Sequence, residues 1–218
     1  MDKQEHYIHA LRYSWLNAVY DPVVALTTRD RHAKEEIVSQ IPSTAGSILD
    51  VASGTGTLSR AISKASPLAE VHGVDGDHDM VRRAERLALK EGAGVTYAQG
   101  MAQELPYDGA SFDVVTCSLF LHHLTLDNKF LALREMSRVL RPDGVLLICD
   151  WGKPLNWLSR ASFLLVQCLD GFETTRENVK GMLPSLVEEA SFENVRIVSE
   201  VMAPLGTIAL ISATRAGD

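Results

Sequence analysis

The fold of this 218-residue chain is decided by the stretch Ser47-Ile-Leu-Asp-Val-Ala-Ser-Gly-Thr-Gly-Thr-Leu58. Its first five residues are mostly apolar, as expected of a short buried strand, and Gly54 and Gly56 then allow a tight turn. Residues compatible with a helix follow, and Val71-His-Gly-Val-Asp75 is typical of a second strand that ends in a carboxylate. The stretch therefore predicts a strand, a glycine turn, a helix and a strand, which is the opening unit of a doubly wound α/β sheet.

The spacing of the acidic residues indicates what this turn could bind. A helix that begins after a glycine turn offers free N–H groups to a ligand above it. Asp75 follows Asp50 by 25 residues, close to the interval at which such folds place an acid for ribose hydroxyls. An acid at Asp50 would repel a pyrophosphate but suits a ligand with an amino group or a sulfonium. The pattern therefore favours a nucleoside cofactor of that kind over a dinucleotide.

The run from Asp50 to Gly56 resembles motif I of the class I S-adenosylmethionine-dependent methyltransferases. The resemblance covers roughly residues 40–150 and includes Gly100-Met-Ala-Gln-Glu-Leu-Pro106, Ser111-Phe-Asp-Val-Val115 and Glu135-Met-Ser-Arg-Val-Leu-Arg-Pro-Asp-Gly144. It implies a Rossmann-like, seven-stranded, mostly parallel sheet with an antiparallel last strand. It also implies S-adenosylmethionine as the cofactor and S-adenosylhomocysteine as the product.

Periodicity places the elements of this fold along the chain. Strands are predicted at 47–51, 70–75, 94–98, 112–117, 144–150, 194–201 and 206–214, and helices at 56–65, 78–91, 127–140 and 176–191. We expect one methyltransferase domain over 1–218. It consists of an N-terminal helical lid (1–40), a cofactor-binding core (41–151), a substrate-cap insertion (152–175), and a C-terminal helix with a strand pair (176–218).

The composition is that of an ordinary globular protein, with 46% hydrophobic and 22% charged residues. A net charge of −7 argues against non-specific nucleic-acid binding, which needs a basic surface. The three cysteines lie among apolar residues and suggest buried thiols in a reducing cytoplasm. No apolar run reaches the roughly 18 residues of a membrane span, and the N-terminus is unlike a signal peptide. We therefore expect a cytoplasmic protein without nucleic-acid partners.

The resemblance implies a set of cofactor contacts, carried over residue by residue. Asp50 would meet the amino group of the methionine part directly or through water, and Asp75 would accept both ribose hydroxyls. Met101 stands where many relatives have an aspartate, so adenine recognition must depend on the backbone of Ala102. The remaining candidates are backbone or packing contacts: Ala52, Ser53, Gly54, Gly56, Gly76, Met80, Cys117 and Tyr20.

His122 and His123 are the candidate catalytic residues, because they follow the predicted fourth strand near the expected position of the methyl group. A general base is needed only if the acceptor is protonated, and His123 is the first choice for that role. The alternative is that one imidazole caps the loop and the other packs against the next helix. No set of cysteines and histidines has the spacing of metal ligands, so no metal is expected.

Within the superfamily the chain resembles the small-molecule branch that includes the ubiquinone/menaquinone biosynthesis C-methyltransferases, of the methyltransferase type 11 kind. Leu119-Phe-Leu-His-His123 departs from the asparagine-bearing pattern of the quinone enzymes, which leaves the substrate open. We expect methylation of a small, apolar or aromatic metabolite at oxygen, nitrogen or carbon. The alternatives are a methyltransferase acting on a macromolecule or lipid head group, or a cofactor-binding module without catalysis. A homodimer is also compatible with the sequence.

Overall fold

A computed structural model describes residues 30–217 and contains one seven-stranded sheet. The strands are β1 (Ser47–Val51), β2 (Glu70–Asp75), β3 (Val95–Gln99), β4 (Phe112–Ser118), β5 (Leu140–Trp151), β6 (Phe192–Ala203) and β7 (Gly206–Arg215). Their order in the sheet is β3-β2-β1-β4-β5-β7-β6. Strand β7 runs antiparallel to its neighbours β5 and β6, and the other strands share one direction. The predicted fold class is confirmed.

Helices cover both faces of this sheet. They are α1 (Asp30–Ser39), α2 (Thr57–Ala65), α3 (His78–Glu91), α4 (Leu126–Val139), α5 (Trp157–Asp170), α6 (Arg176–Lys180) and α7 (Leu183–Glu189). Because strand side chains alternate between faces, Ile48 of β1 packs with α1, α2 and α5, whereas Leu49 packs with α4 and α7. Buried cores on both faces fix the register of β1 and therefore the height at which its glycine turn emerges.

Two regions differ from the sequence prediction. The single helix expected over 176–191 is two short helices, because the backbone at Gly181 turns left-handed (φ 71°) and ends α6. Helix α5 was not predicted as an element. Only a few of its residues face the core, among them Phe163 and Val166, while many of its apolar side chains are exposed. Its sequence therefore lacks a clear polar face.

The predicted division into lid, core, cap and C-terminal part stays a prediction. Of the lid, only residues 30–40 fall within the described part of the chain. The predicted cap contains α5 and the following Phe172. The exposed apolar side chains of this segment are Trp157, Leu158, Leu164, Leu165, Leu169 and Phe172. Among residues 30–217, no helix combines the length and the apolarity that crossing a membrane requires.

Candidate active site

The glycine turn lies at the carboxyl end of β1, in the middle of the sheet. Strand β1 has β2 on one side and β4 on the other, so the chain leaves it where the strand order reverses. Ala52, Gly54 and Gly56 all have left-handed backbone (φ 55°, 54° and 72°), and α2 begins at Thr57. In open α/β sheets ligands bind at this reversal, beside the first turn of the following helix.

Asp75, at the end of β2, is tied to this turn. Its Oδ2 accepts a hydrogen bond from Gly54 N (2.8 Å), and its Oδ1 accepts one from Asp77 N (2.9 Å). Burial raises the pKa of this carboxyl, and the two backbone donors partly offset the rise. Each carboxylate oxygen has a second lone pair, so the arrangement leaves acceptor sites for ribose hydroxyls. The structure thus brings Asp75 and Gly54 together at the place where the cofactor was predicted.

The side chain of Asp50 is held inside the fold by two hydroxyl groups. It is buried, with Oδ2 accepting from Ser59 Oγ (2.6 Å) and Oδ1 from Thr116 Oγ1 (2.9 Å). Burial raises the pKa of this carboxyl from 3.8 to about 6 against the opposing effect of the two hydroxyls. In this structure Asp50 joins β1 to α2 and β4, so it shapes the turn from below. The predicted contact with an amino group stays a prediction.

The candidate adenine contacts come from two segments, one after β2 (Gly76 and Met80) and one after β3 (Met101 and Ala102). Met80 and Ala102 are buried, Gly76 is half-buried, and Met101 is 42% exposed. The loop is fastened to α4, because Leu105 N donates to Glu135 Oε2 (2.8 Å). Ala102 therefore sits on a fixed backbone, while Met101 has room to cover a ligand.

The other two predicted contacts have different positions. Cys117, near the end of β4, is buried, and burial raises the pKa of its thiol well above the ordinary value. A thiol of this kind stays protonated, so Cys117 offers packing and backbone atoms rather than a nucleophile. Tyr20 lies outside the described residues.

The histidine pair follows β4 through a strained turn. Leu119 has left-handed backbone (φ 53°), which is uncommon for a branched residue, and its N–H donates to Cys149 O on β5 (2.7 Å). A short 3-10 turn over Leu121–His123 then carries both imidazoles. Strand β4 adjoins both β1 and β5, so the histidines lie on the same edge of the sheet as the glycine turn.

His122 forms a buried pair with Asp150, near the end of β5. The distance from His122 Nδ1 to Asp150 Oδ1 is 2.6 Å, and Trp151 N also donates to Oδ1 (2.6 Å). Burial alone would raise the pKa of Asp150, but the positive charge and hydrogen bond that His122 can supply outweigh it and lower the pKa. Asp150 thus stays ionised and orients the imidazole with Nδ1 toward the carboxylate, which leaves Nε2 facing Asp170.

His123 has a different environment. Desolvation, helped by the neighbouring His122, lowers the pKa of His123 from 6.5 to about 3. An imidazole with so low a pKa is neutral at pH 7 but is a weak proton acceptor. Both rings face Asp170 at the end of α5: His122 Nε2 lies 3.7 Å from its Oδ2, and His123 Nδ1 lies 3.7 Å from its Oδ1. His122, His123 and Asp170 offer donor atoms that all lie within 4.8 Å of one another, and these three residues could hold a metal ion.

A second polar layer lies behind the pair of His122 and Asp150. Asn178 Nδ2 donates to Trp151 O (2.8 Å), and Lys129 Nζ donates to Glu177 Oε2 (2.7 Å). Lys129 and Asn178 are fully buried. This layer links α4, which starts just after the histidine turn, to α6 and to the end of β5.

Sequence reasoning missed Asp150 and Asp170. Asp150 stands near the end of a predicted strand, as Asp75 does, and that position was a usable signal for a site residue. Asp170 carried no such signal, because it belongs to a helix that the pattern did not reveal and lies 47 residues beyond His123.

Comparisons with known proteins agree with this geometry. A family described as a methyltransferase domain matches residues 48–144. A ubiquinone/menaquinone biosynthesis C-methyltransferase of Hahella chejuensis is 38% identical over 113 residues, which cover 50% of this chain and 45% of the relative. An uncharacterized methyltransferase of Synechocystis sp. is 28% identical and is aligned over 85% of each chain. The crystal structure of an S-adenosylmethionine-dependent methyltransferase from Aquifex aeolicus superposes with a TM-score of 0.67 at 20% identity, covering 92% of this chain and 97% of that one.

The chain belongs to the class I S-adenosylmethionine-dependent methyltransferases. Within that class it resembles the ubiquinone/menaquinone biosynthesis C-methyltransferases, although it spans less than half the length of the Hahella chejuensis enzyme.

Proposed function

We propose that this chain transfers the methyl group of S-adenosylmethionine to a small, apolar or aromatic metabolite, at oxygen, nitrogen or carbon. The observation that carries the proposal is the position of the buried pair of His122 and Asp150 on the same sheet edge as the glycine turn. The likeness to quinone C-methyltransferases supports a ring-activated acceptor. Methyl transfer needs the acceptor atom aligned with the sulfonium methyl and water excluded, and the apolar side chains of the cap insertion supply suitable packing.

The cofactor part of the proposal assigns the ribose to Asp75. Asp75→Ala would remove two charge-assisted hydrogen bonds, each worth about 1.5–3 kcal/mol at most, so the affinity for S-adenosylhomocysteine should fall at least 10-fold in titration calorimetry. Asp75→Asn keeps one acceptor oxygen and the size of the side chain, and it should lose less. Equal affinities in all three folded proteins would remove Asp75 from the ribose site.

When the acceptor carries a proton, His122 is the base that accepts it. Nδ1 of His122 is engaged by Asp150, which leaves Nε2 as the acceptor nitrogen and stabilises the imidazolium that forms. The sequence favoured His123, but the lowered pKa of His123 makes it the weaker base. His122→Asn should slow turnover by roughly 10²–10⁴-fold, and His123→Asn should cost less. The reverse order would assign the proton to His123.

A metabolite panel tests the function as a whole. Quinols, phenols, enols and aromatic amines would be supplied with S-adenosylmethionine, and S-adenosylhomocysteine release would be measured, with Asp75→Ala as the cofactor-deficient control. Product from a small acceptor that is lost in the control supports the proposal. Turnover only with RNA, protein or lipid vesicles, or cofactor binding without turnover on any acceptor, would contradict it.

Location and assembly follow as further parts of the proposal. Cys117, Cys149 and Cys168 form no disulfide with one another, and Cys168 is exposed, which supports a reducing cytoplasm. The homodimer stays a prediction, and analytical ultracentrifugation of the purified protein tests it.

A further inference from the structure

Two histidines and an aspartate from separate parts of the chain converge beside the glycine turn. His122 and His123 come from the 3-10 turn after β4, and Asp170 comes from the last residue of α5. Each residue offers one donor atom, and these atoms all lie within 4.8 Å of one another. His122 Nε2 and His123 Nδ1 each lie 3.7 Å from an oxygen of the Asp170 carboxylate. Two imidazoles and one carboxylate form a ligand set that suits zinc and its neighbours in the first transition row.

The spacing of these atoms is close to that of a coordinated ion. Zinc holds imidazole nitrogen at about 2.0–2.1 Å and carboxylate oxygen at about 2.0–2.2 Å, so tetrahedral donors lie ~3.4 Å apart. The two separations from imidazole nitrogen to the Asp170 oxygens are 3.7 Å. Side-chain adjustments of about 1 Å would close the set around an ion. The same separations are too long for hydrogen bonds.

The surroundings of the cluster also resemble those of a metal site. Ligating imidazoles usually donate their other N–H to a carboxylate, which fixes the tautomer and the ring orientation. Asp150 Oδ1 holds this position at 2.6 Å from His122 Nδ1, and Asp150 is itself fixed by Trp151 N. Within the part of the chain that the structure describes, no hydrogen-bond donor reaches the Asp170 side chain.

Exposure and charge favour a cation here. The side chains of His123 and Asp170 are about one-quarter exposed (25% and 24%), which gives an ion a path to the cluster. Two carboxylates, Asp150 and Asp170, flank the ring of His122, and the nearby ammonium group of Lys129 is paired with Glu177. A divalent ion would offset this local negative charge.

We propose that His122, His123 and Asp170 bind a divalent transition-metal ion of the zinc class, with Asp150 orienting His122 from behind. Spacing along the sequence predicted no metal, because Asp170 is distant from the histidines and only the packing of α5 brings it close. An ion here would coordinate the Nε2 lone pair of His122, which the proposed function uses to accept a proton from the methyl acceptor. His122 cannot serve both roles at once. Metal binding is therefore measured without cofactor or acceptor, and its result does not depend on methyl transfer.

The experiment titrates the purified full-length protein, freed of metal by a chelator, with Zn²⁺ against a chromophoric chelator and with Co²⁺ by visible absorption. We expect one equivalent to bind, with the absorption bands of a low-coordinate Co²⁺ site. Asp170→Asn and His123→Asn keep the side-chain shapes similar and should each lower the affinity at least 10-fold. Asp150→Asn, which changes the partner of His122 Nδ1 and keeps all three ligand residues, should lower it by about 10–100-fold.

Two control variants address three of the five other imidazoles of the chain. His78→Ala removes an exposed histidine on α3, and the double variant His6→Ala/His9→Ala removes two near the N-terminus. Unchanged binding in both controls, with loss in the cluster variants, supports the site. No binding at micromolar Zn²⁺, or binding that survives Asp170→Asn and His123→Asn in folded proteins, would overturn it. In that case the cluster holds a shared proton or the ion binds elsewhere.

Discussion

Asp50 is the residue whose burial has the clearest consequence for stability. The pKa of its carboxyl is about 6 in the folded protein and 3.8 in the reference state, so the native state keeps the proton over a range in which the unfolded chain loses it. The group therefore destabilises the fold as the pH rises from about 4 to about 6. Above that range the cost levels off at about 3 kcal/mol.

Asp50→Asn removes this ionisation and keeps a side chain that can hydrogen-bond Ser59 and Thr116. Between pH 4 and pH 7, the unfolding free energy of the variant should rise relative to that of the wild type. Above pH 7 the difference between the two proteins should stay constant. Urea unfolding of the ligand-free proteins at a series of pH values measures this. Asp79→Asn, at an exposed position, is the control and should show no such trend. A constant difference over the whole range would contradict the shifted pKa.

Gly54 and Gly56 make a matched pair of residues within one turn. Both have left-handed backbone, but a Cβ at Gly54 meets nothing within 4 Å, whereas a Cβ at Gly56 would lie 2.1 Å from the Tyr97 hydroxyl oxygen. Gly54→Ala should cost about 1–2 kcal/mol of unfolding free energy through backbone strain alone. Gly56→Ala should cost roughly 1–3 kcal/mol more, because Tyr97 must move. Denaturant unfolding compares the two, and equal losses would show that Tyr97 yields without cost.

The contact between α4 and α6 depends on a buried ion pair. Lys129 is 0% exposed, and its ammonium group reaches Glu177 Oε2 at 2.7 Å. Buried pairs contribute little net stability, but removal of one partner leaves an uncompensated charge. The pair therefore contributes mainly to the position of α6 behind the histidine turn. It contributes little to the stability of the domain.

A double-mutant cycle tests this view of the two helices. Lys129→Met should destabilise by about 3–5 kcal/mol in urea unfolding, because Glu177 remains buried without its partner. Lys129→Met combined with Glu177→Leu should cost less than the Lys129 variant alone, since both charges are gone. Additive losses in the cycle would mean that the two groups act independently.

For the whole molecule, the prediction concerns the cofactor. Asp75 is hydrogen-bonded to Gly54, and Glu135 fastens the loop after β3, so the protein's own bonds hold the candidate cofactor contacts and binding requires little rearrangement. S-adenosylmethionine or S-adenosylhomocysteine at 100 times its dissociation constant should stabilise the fold by about 2.7 kcal/mol and raise the melting temperature. The absence of any shift at millimolar ligand would contradict a preformed site.

The sequence predicted those parts of the molecule that depend on local patterns. The glycine turn and Asp75 follow from a strand, a turn and a strand within 30 residues. The antiparallel β7 followed from the family resemblance. The turn and Asp75 are encoded by neighbouring residues, so a single sequence is sufficient to predict them.

The parts that could not be predicted depend on contacts between distant segments. Asp150 meets His122 only because β5 adjoins β4, and Asp170 reaches the histidines only because α5 packs on the sheet. Helix α5 escaped prediction because its outer side is apolar, with Leu164, Leu165 and Leu169 exposed. The inward direction of Asp50 depends on Thr116 of β4, a partner that the pattern around the turn could not reveal.

The position of β1 in the sheet has a consequence for synthesis of the chain. During translation β1, β2 and β3 can pair as they emerge, but the other edge of β1 must wait, because Ile48 pairs with Val114 of β4. A nascent chain that ends before Phe112 therefore presents an unpaired apolar strand edge, which is a hazard for aggregation. Because the turn after β1 lies between β2 and β4, the site above it is complete only after β4 has paired with β1. S-adenosylmethionine can consequently stabilise the chain only from that stage of folding onward, and a ribosome stalled before Phe112 would leave this edge of β1 unpaired.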